Sequence, residues 1–224
     1  YFIKLDKNNI AKYIEHTLLK PEVDPSHIKQ LCQEALTYDF CAVCVNPSLV
    51  KWVHKYLKGS PVNTCSVAGF PLGANTTTTK LIEIETCLND GASEIDMVMN
   101  IGLFKYGDLK TVANELKAVK KNTPNKILKI IIETPLLSKS EIVTASKIVE
   151  DSGADFIKTC TGFNGIDTTT ENIRLIQSTI KSGLMIKASG GIKSLQQVKK
   201  VLAAGANRIG TSSGIIIMEE IPLD

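Results

Sequence analysis

Short apolar, β-branched runs recur along this chain and alternate with segments whose apolar residues keep helical spacing. The runs are Tyr13–Leu18, Phe40–Val45, Thr64–Ala68, Glu94–Met99, Ile127–Glu133, Asp155–Cys160, Leu184–Ala188 and Asn207–Thr211. From the second onward their centres fall about 23 to 34 residues apart, the length of one βα repeat. Between them, Ile28, Leu31, Cys32, Ala35 and Leu36 follow the spacing of a surface helix with one buried stripe. Leu109, Val112, Ala113 and Leu116 do the same, as do Ile142, Ala145 and Val149. Narrower stripes run through Ile173, Ile176 and Ile180 and through Leu195, Val198 and Leu202. Eight strands separated by helices imply a parallel sheet, because parallel neighbours need a crossover to connect them.

Three segments share Gly-Ala-x-x-Ile: Asp90-Gly-Ala-Ser-Glu-Ile95, Ser152-Gly-Ala-Asp-Phe-Ile157 and Ala204-Gly-Ala-Asn-Arg-Ile209. Each glycine follows a helical segment, where a left-handed residue closes the helix, and the next strand begins almost at once. No linker or composition shift divides the 224 residues. The α/β pattern therefore predicts one (β/α)₈ TIM barrel as a single domain, residues 1–224, with residues 1–12 an N-terminal extension or short helix. An open doubly wound sheet is the competitor, but its G-x-G-x-x-G fingerprint is missing near Leu18. Apolar residues make up 43% of the chain, enough for one large core. A net charge of +3 admits a phosphorylated small molecule and lacks the clustered Lys and Arg of a nucleic-acid footprint. With no leader pattern and no apolar stretch of spanning length, a cytoplasmic protein without a membrane partner is expected. The first residue, Tyr1 in place of Met, reads as a trimmed N-terminus.

The six cysteines lie mostly inside apolar runs, as the reduced core thiols of an intracellular protein would. Cys41 and Cys44 have C-x-x-C spacing, but a redox motif wants that spacing at a helix N-terminus. In a strand-like run the odd offset points the two side chains to opposite faces. His16, His27 and His54 show neither metal-ligand spacing nor a pairing with an activated serine. His27 and His54 fall on amphipathic helices and read as solvated. His16, on the first strand, could reach the barrel mouth but reads first as structural.

Barrel chemistry sits at the C-terminal ends of the strands. Those ends are expected to carry Glu94 and Asp96 on the fourth strand, Lys129 and Glu133 on the fifth, Lys158 on the sixth and Lys187 on the seventh. Lysine is a poor strand residue and is rarely buried, so any one of them could simply snorkel to the rim or pair with a carboxylate. Two ammonium groups on neighbouring strands repel, and burial adds to the effect. Both push a lysine pKa down, which makes a free-amine nucleophile for a carbonyl. Ala188-Ser-Gly-Gly-Ile192 and Gly210-Thr-Ser-Ser-Gly214 follow the last two strands, where barrels often bind phosphate, and Thr161-Gly162 could close that cradle from the side. Plain βα turns needing positive φ are the alternative.

Several of these residues fall within an ordered set of motifs. They are Glu15-His-Thr-Leu-Leu-Lys-Pro21, Gly69-Phe-Pro-Leu-Gly73, Glu94-Ile-Asp-Met-Val98, Asn100-Ile-Gly102, Phe156-Ile-Lys-Thr159 with Thr161-Gly162, and Ile186-Lys-Ala-Ser-Gly-Gly-Ile192. Through them the chain, from about Ile14 to Gly214, resembles the deoxyribose-phosphate aldolases. These are Schiff-base class I lyases that split 2-deoxyribose 5-phosphate into glyceraldehyde 3-phosphate and acetaldehyde. The resemblance implies that Lys158 forms the Schiff base, that Lys187 lowers its pKa, and that Asp96 moves protons at the carbinolamine and enamine steps. It implies that Gly162, Gly190, Gly191, Ser212 and Ser213 hold the phosphate, and that Thr17 and Lys129 join the polar network around the sugar hydroxyls. It further implies no cofactor and no metal, a homodimer, and a place in deoxyribonucleotide catabolism.

Three departures stand out. Glu15 replaces the Asp of many members, and Phe163 stands where some carry a phosphate-binding Lys. The sequence ends at Ile221-Pro-Leu-Asp224 without the tyrosine that some members fold over the site, so turnover limited at enamine protonation is expected. Two other readings are a keto-acid or transaldolase-like Schiff-base enzyme, and a phosphate-binding barrel without catalysis. Lys158, Lys187 and Asp96 together argue against the second.

Overall fold

The computed structural model describes residues 7–165, 167–181 and 183–222. Eight parallel strands close into a barrel in chain order. They are β1 (Ile14–Leu18), β2 (Ala42–Val45), β3 (Asn63–Ala68), β4 (Glu94–Val98), β5 (Ile127–Ile131), β6 (Phe156–Lys158), β7 (Met185–Ser189) and β8 (Arg208–Thr211). Closure is made by β8 pairing with β1 through Ile14↔Ile209, Glu15↔Gly210 and His16↔Thr211. The helices are α1 (Lys7–Ala11), α2 (Pro25–Tyr38), α3 (Val50–Leu57), α4 (Thr77–Asn89), α5 (Ile101–Tyr106), α6 (Leu109–Lys121), α7 (Lys139–Asp151), α8 (Thr170–Thr179), α9 (Leu195–Ala203) and α10 (Gly214–Glu219).

Each expected strand is found, with ends shifted by a residue or two. The fifth is shorter than expected: β5 stops at Ile131, and Glu133 turns into the left-handed region at φ 55°. The expected short helix near the start is α1, while Tyr1, Leu223 and Asp224 lie outside the described residues.

Local chemistry explains the helix ends. Asp24 accepts from the backbone N–H groups of Ser26 and His27 at the start of α2, and Pro25 takes the first turn where its missing N–H is no loss. Ser138 with Glu141 and Ser194 with Gln197 form capping boxes on α7 and α9. The repeated glycines Gly91, Gly153 and Gly205 all have positive φ, each two residues past its helix, which turns the chain directly into the next strand.

The main apolar core lies between barrel and helices, where Ile28, Leu31, Cys32 and Ala35 of α2 are buried as their spacing required. Inside the barrel the filling is divided. Small side chains of Ala42, Cys44, Cys65 and Val67 pack with Leu19 on the β2–β3 side. Against them, Glu15, Glu94, Asp96, Lys129, Lys158 and Lys187 are buried as a charged cluster. Alternate residues of a strand face one side, so Glu94 and Asp96, like Phe156 and Lys158, enter the interior together. No described helix is long and apolar enough to cross a membrane.

Candidate active site

Strand register sets the geometry. Lys158 lies opposite Lys187, and Asp96 lies opposite Lys129. Lys158 Nζ is 2.7 Å and Lys187 Nζ is 2.6 Å from the same oxygen, Asp96 Oδ2. Lys187 also donates to Glu15 Oε2. Lys129 Nζ is 3.0 Å from Asp96 Oδ1, 2.5 Å from Glu94 and 3.4 Å from Glu15. Arg208 closes the set at 3.1 Å from Glu94 and 3.3 Å from Glu15. Four basic side chains therefore face three carboxylates.

Burial opposes every one of these charges, and the partners decide the outcome. Asp96 is held well below the usual carboxylate range, because Lys129, Lys158 and Lys187 together outweigh its desolvation. Glu15 is lowered in the same way by Lys129 and Lys187. Desolvation works against Lys187, but Asp96 and Glu15 hold its amine above the ordinary lysine value. Lys129 is raised by the same balance, with Asp96 its strongest support.

Lys158 differs from the other three basic side chains. Its one carboxylate partner in the cluster is Asp96, and of the four it alone lines the cavity at the C-terminal mouth of the barrel. That cavity is about 430 Å³ and is walled by Thr17, Gly162, Phe163, Gly190, Gly191 and Ser212 among others. Phe70 lies over the Lys158 amine at 5.9 Å, and Phe163 packs edge-on against Phe70 at 5.1 Å. Gly190 and Gly191 follow one another at φ 92° and 74°. A Cβ on Gly190 would stand 2.5 Å from Cys160 Sγ, so only glycine lets the backbone turn along the cavity wall here.

The expected residues are thus mostly together, with two differences. Ser213 is not part of the wall; its N–H donates to Thr211 Oγ1 at 2.9 Å. Lys129 was expected near the sugar hydroxyls at a strand end. It sits a layer lower, fully buried under Asp96 and away from the cavity, because its register partner on β6 is Phe156, two residues before Lys158.

His16 points out of the barrel, bonding Glu34 at 2.7 Å and packing on Phe40. His27 completes the cap of α2. Cys44 faces into the barrel, and Cys41 donates to the Ile14 carbonyl.

Sequence reasoning missed Arg208 and the place of Glu15 in the network. It missed Phe70 as well, although Gly69-Phe-Pro-Leu-Gly73 had marked that loop. Beneath the loop, buried Lys80 packs under Gly69 and holds Glu115 at 3.0 Å and the Val98 carbonyl at 2.8 Å. Glu133 was flagged without a role. Both its carboxylate oxygens accept from the Thr161 N–H at 3.2 Å, which fixes the turn after β6.

Comparison with known proteins decides the family. A family model described as DeoC/LacD family aldolase matches residues 10–219. The chain belongs to the DeoC/LacD aldolase family. This aldolase is 47% identical over 213 residues to deoxyribose-phosphate aldolase 1 of Staphylococcus aureus, covering 95% of its own length and 97% of the relative's. It is 45% identical to deoxyribose-phosphate aldolase of Staphylococcus saprophyticus, with 96% and 98% covered. Among solved structures, the aldolase superposes on a putative deoxyribose-phosphate aldolase from Coccidioides immitis with a TM-score of 0.95 at 36% identity, covering 99% and 89%. It superposes on the tetrameric deoxyribose phosphate aldolase of Aeropyrum pernix with a TM-score of 0.90 at 30% identity, covering 96% and 91%.

Proposed function

We propose that this aldolase reversibly cleaves 2-deoxy-D-ribose 5-phosphate to D-glyceraldehyde 3-phosphate and acetaldehyde through a Schiff base on Lys158. The observation that carries it is the Lys158 amine at the cavity floor, 2.7 Å from a carboxylate that it shares with Lys187. The free amine attacks the aldehyde of the open-chain sugar, giving a carbinolamine that loses water to an iminium. The iminium is the electron sink. The third-carbon hydroxyl gives up its proton, the bond between the second and third carbons breaks, and its electrons form an enamine. Protonation of the enamine and hydrolysis release acetaldehyde and restore the amine.

Asp96 moves the protons in these steps, directly or through a water, because among the described residues it is the carboxylate paired with the Lys158 amine. Lys187 supplies a fixed positive charge beside the nucleophile. Gly162, Gly190, Gly191 and Ser212 hold the phosphate with backbone N–H groups and a hydroxyl, and Thr17 contacts the sugar. Phe163 offers no charge at its position, so the cradle relies more on those backbone groups. No metal or cofactor is assigned, since the amine and its carboxylate account for each proton and electron moved. A homodimer, a cytoplasmic location and a place in deoxyribonucleotide breakdown complete the reading.

The discriminating experiment offers acetaldehyde or pyruvate as donor with glyceraldehyde 3-phosphate as acceptor. Condensation with acetaldehyde alone is expected. Equal or better use of pyruvate would replace this function with that of a keto-acid aldolase.

A further inference from the structure

Two thiols lie beneath the cavity, and no step of the proposed reaction uses them. Cys44 on β2 and Cys65 on β3 are register partners, both fully buried. Cys44 is also the register partner of Thr17, which lines the cavity. The Cys65 thiol donates to Asp96 Oδ1 at 3.3 Å. The two sulfur atoms and a carboxylate oxygen of Asp96 all lie within 4.8 Å of one another. A tetrahedral ion with bonds of about 2.3 Å to sulfur holds its two sulfurs about 3.8 Å apart, so small side-chain rotations close the set.

We propose that Cys44, Cys65 and Asp96 form an inhibitory site for a soft divalent cation of the cadmium or zinc type, entered through the sugar cavity. Thiolates select such ions over magnesium and calcium. The charge balance allows occupancy: one divalent ion enters as two thiol protons leave, so the net charge of the interior is unchanged. Lys129 contacts both Cys65 and Asp96 Oδ1, and it keeps Glu94 and Glu15 as partners when Asp96 turns to the ion. Once Oδ1 is bound, the Asp96 carboxylate is a poorer base and is drawn away from Lys158. The inhibition rests on the proposed role of Asp96; the binding does not.

The test titrates the reduced protein with Cd²⁺ in chelator-free buffer. It follows ultraviolet thiolate-to-cadmium absorption together with cleavage of deoxyribose 5-phosphate. One ion per chain is expected, with band and inhibition rising together, both reversed by EDTA and neither produced by Mg²⁺. Cys44→Ala and, independently, Cys65→Ala should abolish the band while keeping the native circular dichroism spectrum, and Cys32→Ala on α2 should retain it. No band in the unaltered protein, or a band that survives in both cavity variants, overturns the site. Full binding with undiminished cleavage overturns the inhibition. Binding through Cys44 in a protein that lacks cleavage even without metal keeps the site and overturns the functional reading instead.

Discussion

Lys129→Met removes the ammonium that ties the lower layer of the charged cluster together. The side chain is fully buried and serves Glu94 at 2.5 Å, Asp96 at 3.0 Å and Glu15 at 3.4 Å. Methionine fills similar space without the charge, leaving Arg208 as the ion-pair partner of Glu94 among the described residues. Removing one partner of a buried ion pair costs about 3–5 kcal/mol, since the remaining charge stays desolvated. At about 2–4 °C per kcal/mol for a chain of this size, the melting temperature should fall by about 6–20 °C. Lys105→Met breaks the exposed pair with Glu141 and should cost no more than about 1 kcal/mol.

The pH dependence follows from the same contacts. Asp96 and Glu15 have folded pKa values below their unfolded ones, so their stabilisation is complete above the ordinary carboxylate range and is lost as pH falls through the depressed values. Without Lys129 those values rise, and the variant should unfold at a higher pH in acid. Urea unfolding followed by circular dichroism at neutral and acid pH measures both effects. A Lys129→Met protein within about 1 kcal/mol of the parent, with an unchanged acid midpoint, would refute the reasoning.

Lys187→Leu takes one of two cations off Asp96 Oδ2, so cleavage at neutral pH should fall by about tenfold or more and partly return in alkaline buffer. Activity equally low at every pH would mean that Lys187 acts on substrate directly. Asp96→Asn should lose about 10²–10⁴-fold with no alkaline recovery, as loss of proton transfer requires. Gly190→Ala forces a Cβ to 2.5 Å from Cys160 Sγ, so KM for the phosphorylated sugar should rise while trapping of acetaldehyde on the lysine persists. An unchanged KM would remove Gly190 from the phosphate cradle.

Much of the barrel was legible because local rules repeat along it. Strand alternation, helical stripes and the Gly-Ala turns each speak for a few residues, and the closed barrel is the arrangement that satisfies all of them. Lys158, Lys187 and Asp96 stood out because charged residues in buried strands need partners. Height along the barrel axis was not legible. It depends on the stagger between strands, which puts Lys129 beside Phe156 instead of Lys158 and brings Arg208 of β8 to Glu94 of β4. Glu15 was read as a variation at the start of a strand, yet closure of β1 on β8 sets it between Lys187, Lys129 and Arg208. Phe70 was hidden for another reason: a loop side chain has no periodicity to reveal that it covers the amine.

The central claim is that the Lys158 amine is the nucleophile, and reductive trapping tests it most directly. The protein would be incubated with acetaldehyde and borohydride at neutral pH, its intact mass measured, and the modified peptide sequenced by mass spectrometry. One added ethyl group per chain is expected, on the peptide containing Lys158, and none in Lys158→Ala. Trapping that survives unchanged in that variant, or that maps to Lys187 alone, would contradict the account.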